Sequence, residues 1–73
     1  MKLGHINVQN GLLPKKSLLE VHIKSNQFDI LCVTEAQIDS KVHALPEFSG
    51  FKTIVNDETD FHRVIVFVRE NLM

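Results

Sequence analysis

A carboxylate, Glu35, stands directly after the stretch Phe28-Asp29-Ile30-Leu31-Cys32-Val33-Thr34, and an amide, Asn7, stands near the end of an earlier short apolar segment. Carboxylate and amide side by side offer hard oxygen atoms. Such a setting suits Mg²⁺, which takes one or two carboxylates and keeps several waters. The pairing requires the two segments to be neighbouring parallel strands, because the chemistry of open α/β sheets collects at the carboxyl ends of their strands. The same residues also have a structural reading, in which Asn7 caps a turn and Glu35 is a solvated carboxylate just beyond its strand.

Other polar groups carry weaker signals. His5, His22, His43 and His62 are too widely spaced to form a local metal motif. His22 falls on the apolar stripe of a helix and reads as a packing histidine. Lys15 and Lys16 could meet a phosphate backbone near the helix start, although a solvated helix face is the favoured reading in a charge-balanced chain. Asp57, Glu58 and Asp60 lack the glycine and the bidentate glutamate that an EF-hand calcium loop needs. Cys32 has no basic sequence neighbour to lower its pKa and reads as a buried, reduced core thiol.

The elements that would position Asn7 and Glu35 follow from periodicity. Residues 2–9 read as a first strand with Leu3, Ile6 and Val8 as its apolar content, so His5, Asn7 and Gln9 share a face. Asn10-Gly11 favours positive φ and a turn. Pro14 suits the first turn of a helix, and residues 15–26 carry Leu18, Leu19, His22 and Ile23 as one stripe, with Glu20 and Lys24 as an outer i,i+4 pair. Residues 28–34 read as a second strand buried on both faces. Strand, helix, strand with short joints is a βαβ unit. Residues 37–49 read as an irregular connection. Residues 51–55 and 62–69 read as two further strands joined by the polar turn Asn56-Asp57-Glu58-Thr59-Asp60, an antiparallel pair.

Composition bounds the rest. The chain has 73 residues, a net charge of −1, 44% hydrophobic residues and a single cysteine. Disorder needs low hydrophobicity and high net charge, and neither is present. No global basic field draws in nucleic acid, and no intrachain disulfide can form. No segment approaches the roughly 20 apolar residues of a membrane span, and the N-terminus lacks the pattern of a signal peptide. These features lead us to expect an intracellular, non-secreted location, nuclear or cytoplasmic, with no membrane partner. One amphipathic helix can cover one face of a sheet, whereas two of the strands are apolar on both. The other face is then expected to be wet, which marks residues 1–73 as part of a larger domain.

The order of these motifs resembles the opening of the endonuclease/exonuclease/phosphatase superfamily, the DNase I-like fold, and is most similar to the endonuclease domains of LINE-type (non-LTR) retrotransposons. The resemblance rests on Gly4-His5-Ile6-Asn7-Val8-Gln9-Asn10-Gly11-Leu12, on Lys15 or Lys16 at the helix start, and on Phe28-Asp29-Ile30-Leu31-Cys32-Val33-Thr34-Glu35. Gly50-Phe51 and Val64-Ile65-Val66-Phe67-Val68-Arg69 resemble the two strands that follow in that family. The resemblance implies an α/β fold, the β-α-β-β-β opening portion of a DNase I-like sandwich, with residues 1–73 as the N-terminal part of a single domain. It implies catalytic roles for Asn7 and Glu35, with Glu35 as metal ligand. It also implies Mg²⁺ or Mn²⁺ as cofactor, DNA as partner in the complete domain, and the remaining C-terminal half as the structural partner. Metal charge on the developing oxyanion is the physical core of that phosphodiester hydrolysis.

The chain departs from the family pattern in several places. Asn10-Gly11 comes one residue late after Asn7, so Gln9 or Asn10 stands at the family's second polar position. Thr34-Glu35-Ala36-Gln37-Ile38 lacks the tryptophan that relatives often carry, and His62-Arg63 stands in place of a glycine pair. The aspartate–x–asparagine and serine–aspartate–histidine motifs do not occur in these residues, so the chain alone is expected to be inactive. Two alternatives remain open: a non-catalytic remnant or small binding module, and a phosphatase-type relative acting on a phosphoinositide or a nucleotide.

Overall fold

Gly4, between Leu3 and His5, gives the first strand its close approach to the rest of the sheet. A Cβ there would sit 2.3 Å from Cε1 of Phe28, so the strand passes the ring only because that position has no side chain. The computed structural model describes residues 1–72. Strand β1 (Leu3–Asn7) runs parallel to β2 (Ile30–Asp39), in register from Leu3 opposite Ile30 to Asn7 opposite Thr34. The parallel pairing expected of a βαβ unit is therefore present. Strand β4 (Phe61–Arg69) lies antiparallel on the other side of β2, and β3 (Phe51–Ile54) pairs antiparallel with β4 at the far edge. The result is a small mixed α/β unit with one four-stranded sheet, in the order β1-β2-β4-β3, and one α-helix among the described residues.

The helix, α1 (Lys16–Ser25), follows a 3₁₀ turn over Leu13–Lys15 that contains Pro14. Proline fits there because its missing N–H removes a donor that a helix start leaves unpaired anyway. Leu19 and Ile23 are its buried residues, while Leu18, expected on the same stripe, is 74% exposed. The helix lies so that the Leu19–Ile23 line faces the sheet and Leu18 points past it. His22 packs its ring 5.4 Å from that of Phe28 and meets the side chain of Asn26, which is consistent with a packing histidine. Asn26 stops the helix by donating from Nδ2 to the carbonyl of His22.

The core lies on one face of the sheet. Leu31 and Val33 of β2, Ile65 and Phe67 of β4, and Leu19 and Ile23 of α1 form its centre. Phe48, from the loop before β3, stacks 4.7 Å from Phe67. The opposite face has no helix. Strand register aligns three rows across it: Leu3, Ile30, Val68 and Lys52; His5, Cys32, Val66 and Ile54; Asn7, Thr34 and Val64. Leu3, Val64 and Ile54 are exposed there, and Ile30, Cys32, Val66 and Val68 are half-buried. This overturns the reading of Cys32 as a buried core thiol. It also overturns full cover for β2, whose burial alternates along its length. The wet apolar face expected from having a single helix is present.

The amino end of β2 is closed by charge. The Asp29 carboxylate accepts from the backbone N–H of Lys2 at 2.7 Å and from Nε of Arg69 at 3.1 Å, and Arg69 also donates from Nη2 to the Phe28 carbonyl at 2.8 Å. The Lys2 N–H, with Arg69 in support, holds the Asp29 carboxyl below its ordinary pKa.

Candidate functional site

At the opposite end, β1 finishes at Asn7 and the ladder to β2 continues for one more bond, from Val8 N to the Thr34 carbonyl at 3.1 Å. Gln9, Asn10 and Gly11 then take φ of 41°, 66° and 111° in succession and turn the chain back. The positive φ expected for Asn10-Gly11 is found, and it begins one residue earlier, at Gln9. Asn7 helps close this turn: its Oδ1 accepts from the Gln9 N–H at 2.9 Å. An aspartate or asparagine side chain that bonds its own backbone two residues on makes a turn of this kind. Leu12, fully buried, donates its N–H to the Ala36 carbonyl at 2.8 Å and ties the turn to β2 beside Glu35.

Glu35 does not end its strand, contrary to the reading of a strand over residues 28–34 and a connection over 37–49. β2 runs on to Asp39, and its pairing with β4 shifts between Thr34 and Ile38: four steps along β2 oppose two along β4, from Val64 to His62. This is a β-bulge, which kinks a strand and re-aims its side chains. Within it Glu35 and Gln37 have φ of 57° and 50°, and Ala36 between them is buried while both flanking side chains are exposed. A non-glycine residue at such φ costs about 1 kcal/mol. Four of the five positive-φ residues other than glycine lie in this turn and bulge. Local strain is thus concentrated around Asn7 and Glu35.

Parallel register brings the backbones of the two predicted site residues to one end of the sheet, since Asn7 is opposite Thr34 and Glu35 follows it. The Glu35 carboxylate makes no hydrogen bond or ion pair among the described residues. Asn7 keeps its amino group, Nδ2, as an uncommitted donor, because Oδ1 already serves Gln9. The amide therefore keeps a free donor beside its turn-closing oxygen, and Glu35 is the anionic oxygen donor. No group of three or more histidine, cysteine or acidic side chains is gathered among the described residues. One carboxylate and water ligands fit Mg²⁺ chemistry; a closed cage would need more acids than gather here.

Three further residues near the site have contacts that sequence reasoning did not foresee. His5 Nε2 meets Thr34 Oγ1 at 3.3 Å on the open face, a neighbour relation that follows from alternation once the strands are known to be parallel. Lys15, read as a solvated or phosphate-facing cation, instead turns its ammonium to the carbonyls of Val8 and Gln9, the latter at 3.0 Å. Nothing in the local pattern marks that contact. His62 is buried opposite Ile38 with its Nδ1 unpartnered, just past the bulge. No helix among the described residues is long and apolar enough to cross a membrane. No family model matches the chain, and no curated protein or solved structure matches it.

Proposed function

We propose that the chain is the opening part of a DNase I-like, Mg²⁺-dependent phosphodiesterase domain acting on DNA, of the retroelement type, and that it needs the rest of that domain for activity. The observation that carries this reading is that Asn7 and Glu35 lie together where the parallel β1–β2 pairing ends, with Glu35 unpaired among the described residues in a strained bulge. Strained backbone at an exposed, uncommitted carboxylate is the usual mark of a functional site. Glu35 would hold Mg²⁺ or Mn²⁺ through one carboxylate and water. The Nδ2 donor of Asn7 would bind a phosphate oxygen or orient Glu35. Bound metal supplies positive charge to the phosphodiester oxygen. The open apolar face of the sheet supports a second layer as structural partner, since Leu3, Val64 and Ile54 otherwise remain in water.

The test is nicking of supercoiled DNA by the complete domain in Mg²⁺, with Glu35→Ala and Asn7→Ala beside it. A loss of about 10²-fold or more with Glu35→Ala is expected for a residue that holds the metal. Nicking unchanged by that substitution would end the assignment.

A non-catalytic binding module is the second reading, and the same open sheet face favours it. A chain that unfolds cooperatively as a monomer, with a urea m-value fitting 73 residues, would support the module. Aggregation relieved by the remainder of the domain would support the first reading.

A further inference from the structure

We infer that Lys15 is the positioning residue of the Asn7–Glu35 site. Its ammonium holds the carbonyls that close β1 and thereby sets the turn from which Asn7 and the bulge take their geometry. This inference rests on the proposed reading of Asn7 and Glu35.

Three observations carry it. Lys15 Nζ donates to two successive carbonyls, Val8 and Gln9, immediately beyond Asn7. Those carbonyls enter a turn of three consecutive positive-φ residues, a conformation that relaxes unless its surroundings hold it. The far side of the turn is fastened to β2 by Leu12 at Ala36, between Glu35 and Gln37. A continuous set of bonds therefore runs from Lys15 through Val8 and Gln9 to the Asn7 side chain, and through Leu12 to the bulge. Lys15 lines a groove together with Ile6, Leu19 and His22, beside the carbonyls it serves. Lysine suits this place because it has three donors and no acceptor. A neutral unbranched residue of similar size leaves both carbonyls without that cation.

The experiment compares Lys15→Met, Lys15→Arg and the wild-type chain by amide NMR, with Mn²⁺ as the probe. In Lys15→Met, the signals of the Gln9 N–H and the Asn7 side-chain amide should move or broaden, and those of residues 35–37 should follow. Leu31, Val33 and Phe67 should stay in place. Mn²⁺ broadening at Glu35 should need several-fold more metal, and Lys15→Arg should restore most of both effects. Unchanged signals at Asn7, Gln9 and Glu35 in Lys15→Met would overturn the inference. If Lys15→Met also loses the core signals, Lys15→Gln takes its place, and loss of the core in both would overturn a local role. Wild-type protein that shows no Mn²⁺ effect at Glu35 would sink the reading of the site, while the Asn7 and Gln9 signals would still decide the part played by Lys15.

Discussion

Two carboxylates near β2, Asp29 just before the strand and Glu35 inside it, are held in opposite ways. Asp29, just before the strand, is bonded to Lys2 and Arg69, half-sheltered, and held below its ordinary pKa. Glu35, in the bulge, is exposed, unpaired among the described residues, and carried on backbone at φ 57°. The amino end of the sheet spends its polar groups on itself. The carboxyl end keeps its acid and the Asn7 amide available and carries strain to do so. Natural proteins commonly give up stability where a site must stay open to a ligand, and that contrast locates the candidate site more sharply than residue type does.

Substitutions at the two ends should separate these roles. The largest effect is expected at the closed end from Gly4→Ala. Its Cβ would meet Phe28 at 2.3 Å, beside the Asp29 clasp, and such overpacking costs about 1–3 kcal/mol. Thermal unfolding should register it as a fall of several degrees, and an unchanged midpoint would show that Phe28 yields freely. At the open end, Glu35→Gly should act in the other direction. Glycine takes φ near 57° without penalty, so stability should rise by up to about 1 kcal/mol while Mn²⁺ binding disappears. A fall in stability would mean that Glu35 makes native contacts, and the contrast would break.

The pH dependence belongs to the closed end. Because the folded pKa of Asp29 is lowered, its contribution is present above the unfolded value of about 4. It is lost as pH falls from there through the folded value. Urea midpoints measured from about pH 5 to about pH 3 should fall more in wild type than in Asp29→Asn. Parallel curves would remove Asp29 from the account. The smallest effect is expected on the open face: Val64→Thr, at a residue 49% exposed in the row with Asn7 and Thr34, should change the chain's stability by no more than about 0.5 kcal/mol. A large loss would mean that the face is already covered in solution.

Much of this was legible in the sequence. The order β-α-β-β-β follows from local pattern: the Leu19–Ile23 spacing, Pro14 ahead of the helix, Asn26 after it, and the polar turn before β4. The uncovered face follows from counting one helix against strands apolar on both sides. The short βαβ joints suggested the parallel pairing that brings Asn7 to the level of Glu35, and the register of β1 on β2 established it. These are near-neighbour effects, decided by periodicity and turn chemistry within a few residues.

The tertiary structure decided the rest. The bulge that lifts Glu35 out of a plain strand exists because β4 pairs with β2 in two registers, and neither strand encodes that mismatch alone. The clasp joins Asp29 to Arg69 across 40 positions, and Lys15 reaches Val8 and Gln9 only because the turn of positive-φ residues brings the chain back on itself. Such contacts depend on how the chain is folded in space and not on the local residue pattern. Residue types along the chain therefore named the acid and the amide, and the tertiary structure decided that the acid stays unpaired among the described residues while the amide closes the turn with one of its two groups.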